Sequence, residues 1–180
     1  MANANESVDE LVLRCQIGDT AAFEELFERF QPRLRYFVRR LDQTGTDAED
    51  LLQDIWLAVL RKITTLREPT VFPVWLYKIA RNRVYRHSQQ KKRIVQMPQE
   101  ELPIPAEDNE PEFKTAMVDK IHKALIKIQP HHREVLTLHF LERMSYEAVA
   151  EVVGCNLGTV KSRMHYAKKS LRRELERDNG

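Results

Sequence analysis

Cysteine is scarce in this 180-residue chain: there are two, Cys15 and Cys155, far apart in sequence. That excludes a disulfide-stapled scaffold and a Cys-rich zinc module, and it fits a reducing compartment. Glycine is also sparse, at five residues, which disfavours a turn-rich β architecture and any glycine-rich phosphate loop. No apolar run approaches the roughly 18 residues of a membrane-spanning helix. The opening MANANESVDE has neither a basic start nor an apolar core, so no signal peptide is expected. Neither charge sign dominates, since the net charge is +2. The Gly-x-Ser-x-Gly elbow and the His-Glu-x-x-His pair are both absent. His131 and His132 are adjacent and point to different faces of a helix, so with His139 they form a poor metal site. No enzyme chemistry and no cofactor are indicated.

What is present is helical periodicity. With 42% hydrophobic residues the chain can bury one moderate core or two small ones, and the pattern predicts an all-α protein. A first helix is predicted over Val8 to Ile17, broken by Gly18 and Asp19. Phe23, Leu26, Phe27, Phe30, Leu34, Phe37, Val38 and Leu41 then hold a helical stripe, with a kink or short break expected at Pro32. Thr46 with Glu49 has the spacing of a capping box, so a helix is expected from Asp47 to about Ile63 with Ala48, Leu51, Leu52, Ile55 and Val59 inward. Another is expected from Val74 to about Gln90. The segment from Ser88 to Phe113 carries four of the eight prolines and reads as a flexible linker. Helices follow over Ala116 to Ile128 and from Pro130 to Leu141. Two small helical domains, 1–90 and 116–180, joined by a linker at 91–115, are the expected organisation.

The stretch from Ser145 to Arg173 has the spacing of a helix-turn-helix. Val149, Val152 and Val153 lie on one face, Gly154 supplies the turn, and Asn156 can cap the second helix. Val160, Met164, Ala167 and Leu171 form the inner stripe of that helix. Its outer face, between Gly158 and Arg173, carries six bases and no acid: Lys161, Arg163, Lys168, Lys169, Arg172 and Arg173. Thr159, Ser162, His165 and Tyr166 are interleaved with them. Such a face clamps phosphates and reads base edges.

Charge is segregated elsewhere too. Asp47, Glu49, Asp50 and Asp54 are four acids in a stretch without a base, whereas Pro69 to Gln99 holds seven bases and no acid. The acidic surface, with Gln53 and Leu57 beside it, suits a basic or amphipathic protein partner. In the acid-free stretch Trp75, Tyr77 and Tyr85 mix with Lys78, Arg81, Asn82, Arg83 and Arg86. That composition suits single-stranded or distorted nucleic acid, where bases stack on rings and phosphates meet guanidinium groups. Taken alone, Trp75 and Tyr77 are equally consistent with core positions. Two opposed surfaces imply two different partners.

With these pieces placed, the chain resembles the extracytoplasmic-function sigma factors, the small two-domain members of the bacterial sigma family. The resemblance rests on DAEDLLQDIWLAVLRKI, FPVWLYKIARNRV, QPHHREVLTLHFLERMSYEAVAEVVG and GTVKSRMHYAKKSLRREL, in that order. It implies that Asp47, Asp50, Leu51, Gln53, Asp54 and Leu57 bind core RNA polymerase. It implies that Trp75, Tyr77, Lys78, Arg81, Asn82 and Arg86 recognise and melt the −10 element, Asn82 at the base-reading position. It assigns Gly158, Thr159, Lys161, Ser162, Arg163, His165, Tyr166 and Lys168 to the −35 element. Tyr166 stands where arginine often precedes the alanine, which replaces a bidentate guanine reader. Implied partners are core polymerase, double-stranded and locally melted promoter DNA, and an anti-sigma factor. No cofactor, metal or membrane insertion is implied, and the expected location is cytoplasmic. The alternative is a helix-turn-helix regulator on a palindromic operator, which needs neither the acidic helix nor the acid-free one.

Overall fold

The computed structural model describes residues 6–42, 48–94 and 116–177, with side chains for 6–42, 48–90 and 120–177. Eight α-helices account for the architecture of the described residues: α1 Val8–Gln16, α2 Thr20–Leu41, α3 Ala48–Lys62, α4 Phe72–Ile94, α5 Ala116–Lys127, α6 Pro130–Leu136, α7 Tyr146–Val153 and α8 Leu157–Arg177. The all-α expectation is met. Thr46 of the expected capping box, Asp47 and the linker from 95 to 115 lie outside the described residues.

The first two helix starts have a local cause. Ser7 and Glu10 close a capping box on α1. Gly18 takes φ 91°, and Asp19 then accepts from the amides of Ala21 and Ala22 to open α2. The Arg14 guanidinium donates twice to the same Asp19 carboxylate, and that contact, with the cap bonds, lowers the pKa of Asp19. The side chain of Gln16 donates to the carbonyls of Ile63 and Leu66, at 3.0 and 2.7 Å, and so fixes the turn after α3.

Pro32 does not break α2. The helix runs unbroken from Thr20 to Leu41 with Pro32 exposed. A proline inside a helix costs about 3 kcal/mol. Leu26, Phe30, Leu34 and Phe37 are buried on both sides of it, each contributing about 1.5–3 kcal/mol, so packing outweighs the lost bond. α4 also differs from expectation: it starts at Phe72, with Pro73 in its first turn, and extends to Ile94, four residues into the expected linker.

The first core joins α1 to α4. Phe30 meets Phe72 edge-on at 5.4 Å, and Phe37 meets Tyr77 at 5.1 Å. In the second half Val135, Leu138, Val149, Val152, Val160, Met164 and Ala167 are buried together. Ser145 caps α7 by accepting from the Ala148 amide, and Gly154 ends it at φ 71°, ψ 40°. A Cβ at Gly154 would meet nothing within 4 Å, so only the left-handed backbone disfavours a side chain there. Gly154→Ala is therefore expected to destabilise the second half by about 1 kcal/mol, without a change in DNA contacts. Urea denaturation followed by circular dichroism measures this.

Candidate polymerase and nucleic-acid interface

On α3 the exposed side chains fall on one stripe. Asp50, Gln53, Asp54 and Leu57 are all exposed and follow i, i+3, i+4, i+7 spacing. Leu60 continues the apolar side of the stripe. Leu51 does not belong to this surface: it is 4% exposed and lies in the core, because the step of about 100° per residue carries it from Asp50 towards the buried side of Leu52 and Ile55. Trp56 is buried as well, its ring against Phe23 and Phe27 and its Nε1 donating to Gln31 Oε1 at 2.6 Å. Glu49 is engaged by Arg35 at 3.0 Å, which leaves Asp50 and Asp54 as the acids of the outer stripe.

The acid-free helix α4 presents three faces. Leu76, Tyr77, Ala80 and Val84 enter the core. Tyr77 is fully buried and cannot stack on a base; its hydroxyl lacks a well-formed hydrogen bond, and burial together with nearby Glu142 raises its pKa well above the usual value. Packing against Phe37 is its role. Trp75, Ile79, Asn82 and Arg86 follow i, i+4, i+7, i+11 spacing and share a second face, with Asn82 and Arg86 exposed and Trp75 half-buried. The third face, Lys78, Arg81 and Tyr85, turns towards the second half of the chain. On the far flank Arg83 lies 3.7 Å from Asp54.

That third face is occupied. Arg81 Nε donates to Glu134 Oε1 at 2.6 Å, and the Tyr85 hydroxyl donates to the other oxygen at 3.4 Å. The Arg81 guanidinium lies 4.5 Å over the Tyr85 ring. Lys78 reaches Glu151 at 3.5 Å. Burial raises the pKa of Glu134, against the pull of Arg81, and burial does the same to Glu142 against Tyr77 and Arg33. None of the acids in these contacts is legible as a partner of α4 from sequence, because Arg81 and Glu134 are 53 residues apart. Sequence reasoning missed Glu134 and Glu142 for that reason. The acid-free composition of α4 was the available signal that its cations need an outside anion.

α8 presents the third surface. Val160, Met164 and Ala167 are buried, so Gly158, Lys161, Ser162, His165, Tyr166 and Lys168 are left on the exposed side. Asn156 Oδ1 accepts from the Thr159 amide at 2.8 Å and from its hydroxyl at 2.9 Å, capping the helix and fixing that hydroxyl. Arg163 is half-buried and joins His131, His132, Thr159, Ser162 and Tyr166 around an open concavity of about 700 Å³. Burial lowers the pKa of both histidines, and Arg163 adds to the effect. Lys168 lies 5.4 Å above the Phe140 ring. No cluster of three or more metal-ligating side chains occurs among the described residues.

Acidic, acid-free and basic faces thus stand on three separate helices of one all-α chain. Residues 26–94 match the Sigma-70 region 2 family and residues 119–171 match Sigma-70 region 4. The chain is 32% identical to the RNA polymerase sigma factor CarQ of Myxococcus xanthus over 90% of its own length and 94% of the relative's. It is 29% identical to the ECF RNA polymerase sigma factor SigF of Caulobacter vibrioides, with 100% of both chains covered. The chain belongs to the extracytoplasmic-function RNA polymerase sigma factors. Among solved structures, this sigma factor is similar to RpoE of Bartonella quintana, determined as a complex with the anti-sigma factor NepR. That similarity has a TM-score of 0.69 at 29% identity and covers 86% of this chain and 96% of that one. CnrH, determined as a complex with the cytosolic domain of CnrY, shares the fold, with a TM-score of 0.68 at 22% identity over 96% of this chain and 99% of that one. As a sigma factor the protein binds core RNA polymerase and directs promoter-specific initiation of transcription. No helix among the described residues is long and apolar enough to cross a membrane.

Proposed function

We propose that the sigma factor divides its task among three helical faces. The stripe of Asp50, Gln53, Asp54 and Leu57 on α3 holds core RNA polymerase, with Asp47 preceding it. The Trp75, Asn82 and Arg86 face of α4, flanked by Lys78 and Arg81, takes the melted −10 strand. The outer face of α8 takes the −35 duplex through Lys161, Ser162, His165 and Tyr166, with Arg163 and Lys168 at phosphates and the α8 N-terminus at Gly158 and Thr159 close to the backbone. Residues 1–90 form the polymerase and −10 unit, 91–115 the linker, and 116–180 the −35 unit.

The observation that supports this reading most is the division of α4 into a buried face and a distinct Trp75–Asn82–Arg86 face. An ordinary helix-turn-helix regulator has no use for that second surface. Unstacking a base costs a few kcal/mol, and stacking on an aromatic side chain contributes about 1–3 kcal/mol per base, so a preformed face offsets much of the opening. The protein supplies binding energy and geometry, and no catalytic group is required. Its site of action is the cytoplasm, where polymerase and chromosome meet, and an anti-sigma factor of the kind seen bound to Bartonella RpoE is the natural external regulator.

Run-off transcription with purified core polymerase on genomic fragments tests the proposal. Discrete transcripts that depend on this chain are expected. Their absence, together with no binding to core polymerase, would refute it.

A further inference from the structure

His131 and His132 of α6 have no part in the three faces, yet both border the concavity of about 700 Å³ beside Thr159, Ser162, Arg163 and Tyr166 of α8. Their rings meet at 60°, with centroids 4.3 Å apart. An α-helix is about 10–12 Å across and the major groove about 12 Å wide, so a helix that enters the groove has a strand backbone along each flank. Groups beside its first turns therefore meet phosphates rather than base edges. His131 and His132 stand at that place, next to Arg163.

The two imidazoles are not equivalent. His132 is half-buried, and its Nδ1 is enclosed without a hydrogen-bond partner. A proton there would be an unpaired buried charge, so His132 stays neutral, with its proton on Nε2 as the donor on the open side. His131 is exposed and can change charge. Burial of part of the ring, and then the Arg163 charge, hold its pKa below the ordinary histidine value. α8 faces the pair with Arg163, and α2 meets α6 through Arg40 beside Arg133. The turn after α6 carries His139, bonded to the Met144 carbonyl, and Glu142, next to Arg33. Glu134 of α6 itself is taken by Arg81 and Tyr85. Among the described residues, the charges acting on His131 and His132 are therefore positive.

A phosphate supplies the anion this cluster lacks, and an opposite charge favours the protonated imidazole. We propose that His131 and His132 are further promoter-contact residues: with Arg163 they hold one backbone phosphate of the −35 duplex, His132 as a neutral donor and His131 as a donor that takes a proton from solvent on binding. Binding then raises the His131 pKa from its lowered value in the free chain. The complex takes up a proton, so affinity rises as pH falls through that interval. This rests on the reading of α8 as the −35 face.

The test uses the full chain and a labelled mixed-sequence duplex of about 30 base pairs. Fluorescence anisotropy at about pH 8 and about pH 5.5, over a range of salt, gives the affinity and the slope of log Kd against log salt. Other histidines also gain charge on acidification, so variants are compared with the wild type at each pH. His131→Gln keeps a donor but cannot titrate. At about pH 5.5 it is expected to bind about 5-fold more weakly than the wild type, with a salt slope lower by about 0.9, the loss of one phosphate contact. At about pH 8 it is expected to stay within about 2-fold. His131→Lys carries its charge at both pH values and is expected to bind about 5-fold more tightly than the wild type at about pH 8. Glu28→Gln makes the same change in net charge at an exposed position on α2 and is expected to stay within about 2-fold. His132→Leu is expected to weaken binding about 3-fold at both pH values and to leave the pH difference in place. A His131→Gln protein as tight as the wild type at about pH 5.5 overturns the proposal. So does an equal gain for His131→Lys and Glu28→Gln. Lys161→Gln with Ser162→Ala tests the α8 reading separately, and is expected to weaken binding at both pH values. If it does so while the His131 variants match the wild type, the histidine contact alone is refuted. If it leaves binding unchanged, the reading of α8 falls and the histidine contact with it.

Discussion

Asp50→Arg combined with Asp54→Arg is expected to weaken binding to core RNA polymerase by about 100-fold or more while leaving the fold intact. Both carboxylates are exposed on one stripe of α3. Truncating one partner of a charge pair buried at an interface costs about 2–5 kcal/mol, and a reversed charge adds repulsion in place of attraction. The fold loses little in comparison. Asp54 has only the exposed contact to Arg83 at 3.7 Å, of a kind worth about 0–1 kcal/mol. Association with core polymerase is measured by anisotropy of the labelled sigma factor, with a circular dichroism melt as the control. Binding within about 3-fold of the wild type at an unchanged melting temperature would remove the α3 stripe from the polymerase interface.

The second large effect concerns Tyr77. From composition alone it stands among the aromatic and basic residues suited to stacking on DNA, but it is fully buried and edge-on to Phe37 at 5.1 Å. Tyr77→Ala is expected to destabilise the first domain by about 3–5 kcal/mol, the range for removing a large aromatic from a core. Tyr77→Phe keeps the ring and removes a hydroxyl that has no well-formed hydrogen bond, so it is expected to change stability by less than about 1 kcal/mol and leave transcription unaffected. Trp75→Ala is the contrast, since Trp75 is half-buried beside Asn82 and Arg86: transcription should fall more than stability does. Urea unfolding and run-off transcription on the three variants separate these roles. A stable Tyr77→Ala protein that fails only at promoter opening would return Tyr77 to the DNA face.

The sequence alone determined the helices, their approximate limits and the helix-turn-helix, because each depends on interactions within a few residues. Spacing at 3.6 residues sets an apolar face, Ser145 and Asn156 cap their own helices, and Gly154 ends one by its own backbone freedom. The outer stripe of α3 and the basic face of α8 were legible for the same reason. Tertiary structure alone decided what covers each face. Pro32 stays within a continuous helix because residues on both sides of it are held by the core, and of the two aromatics Trp75 and Tyr77 it is Tyr77 that is fully buried. The pairing of Arg81 with Glu134 also belongs to the fold. Helical period says which side chains share a face, and only the folding of distant segments against one another says whether that face meets water, a core or a carboxylate from the other half of the chain.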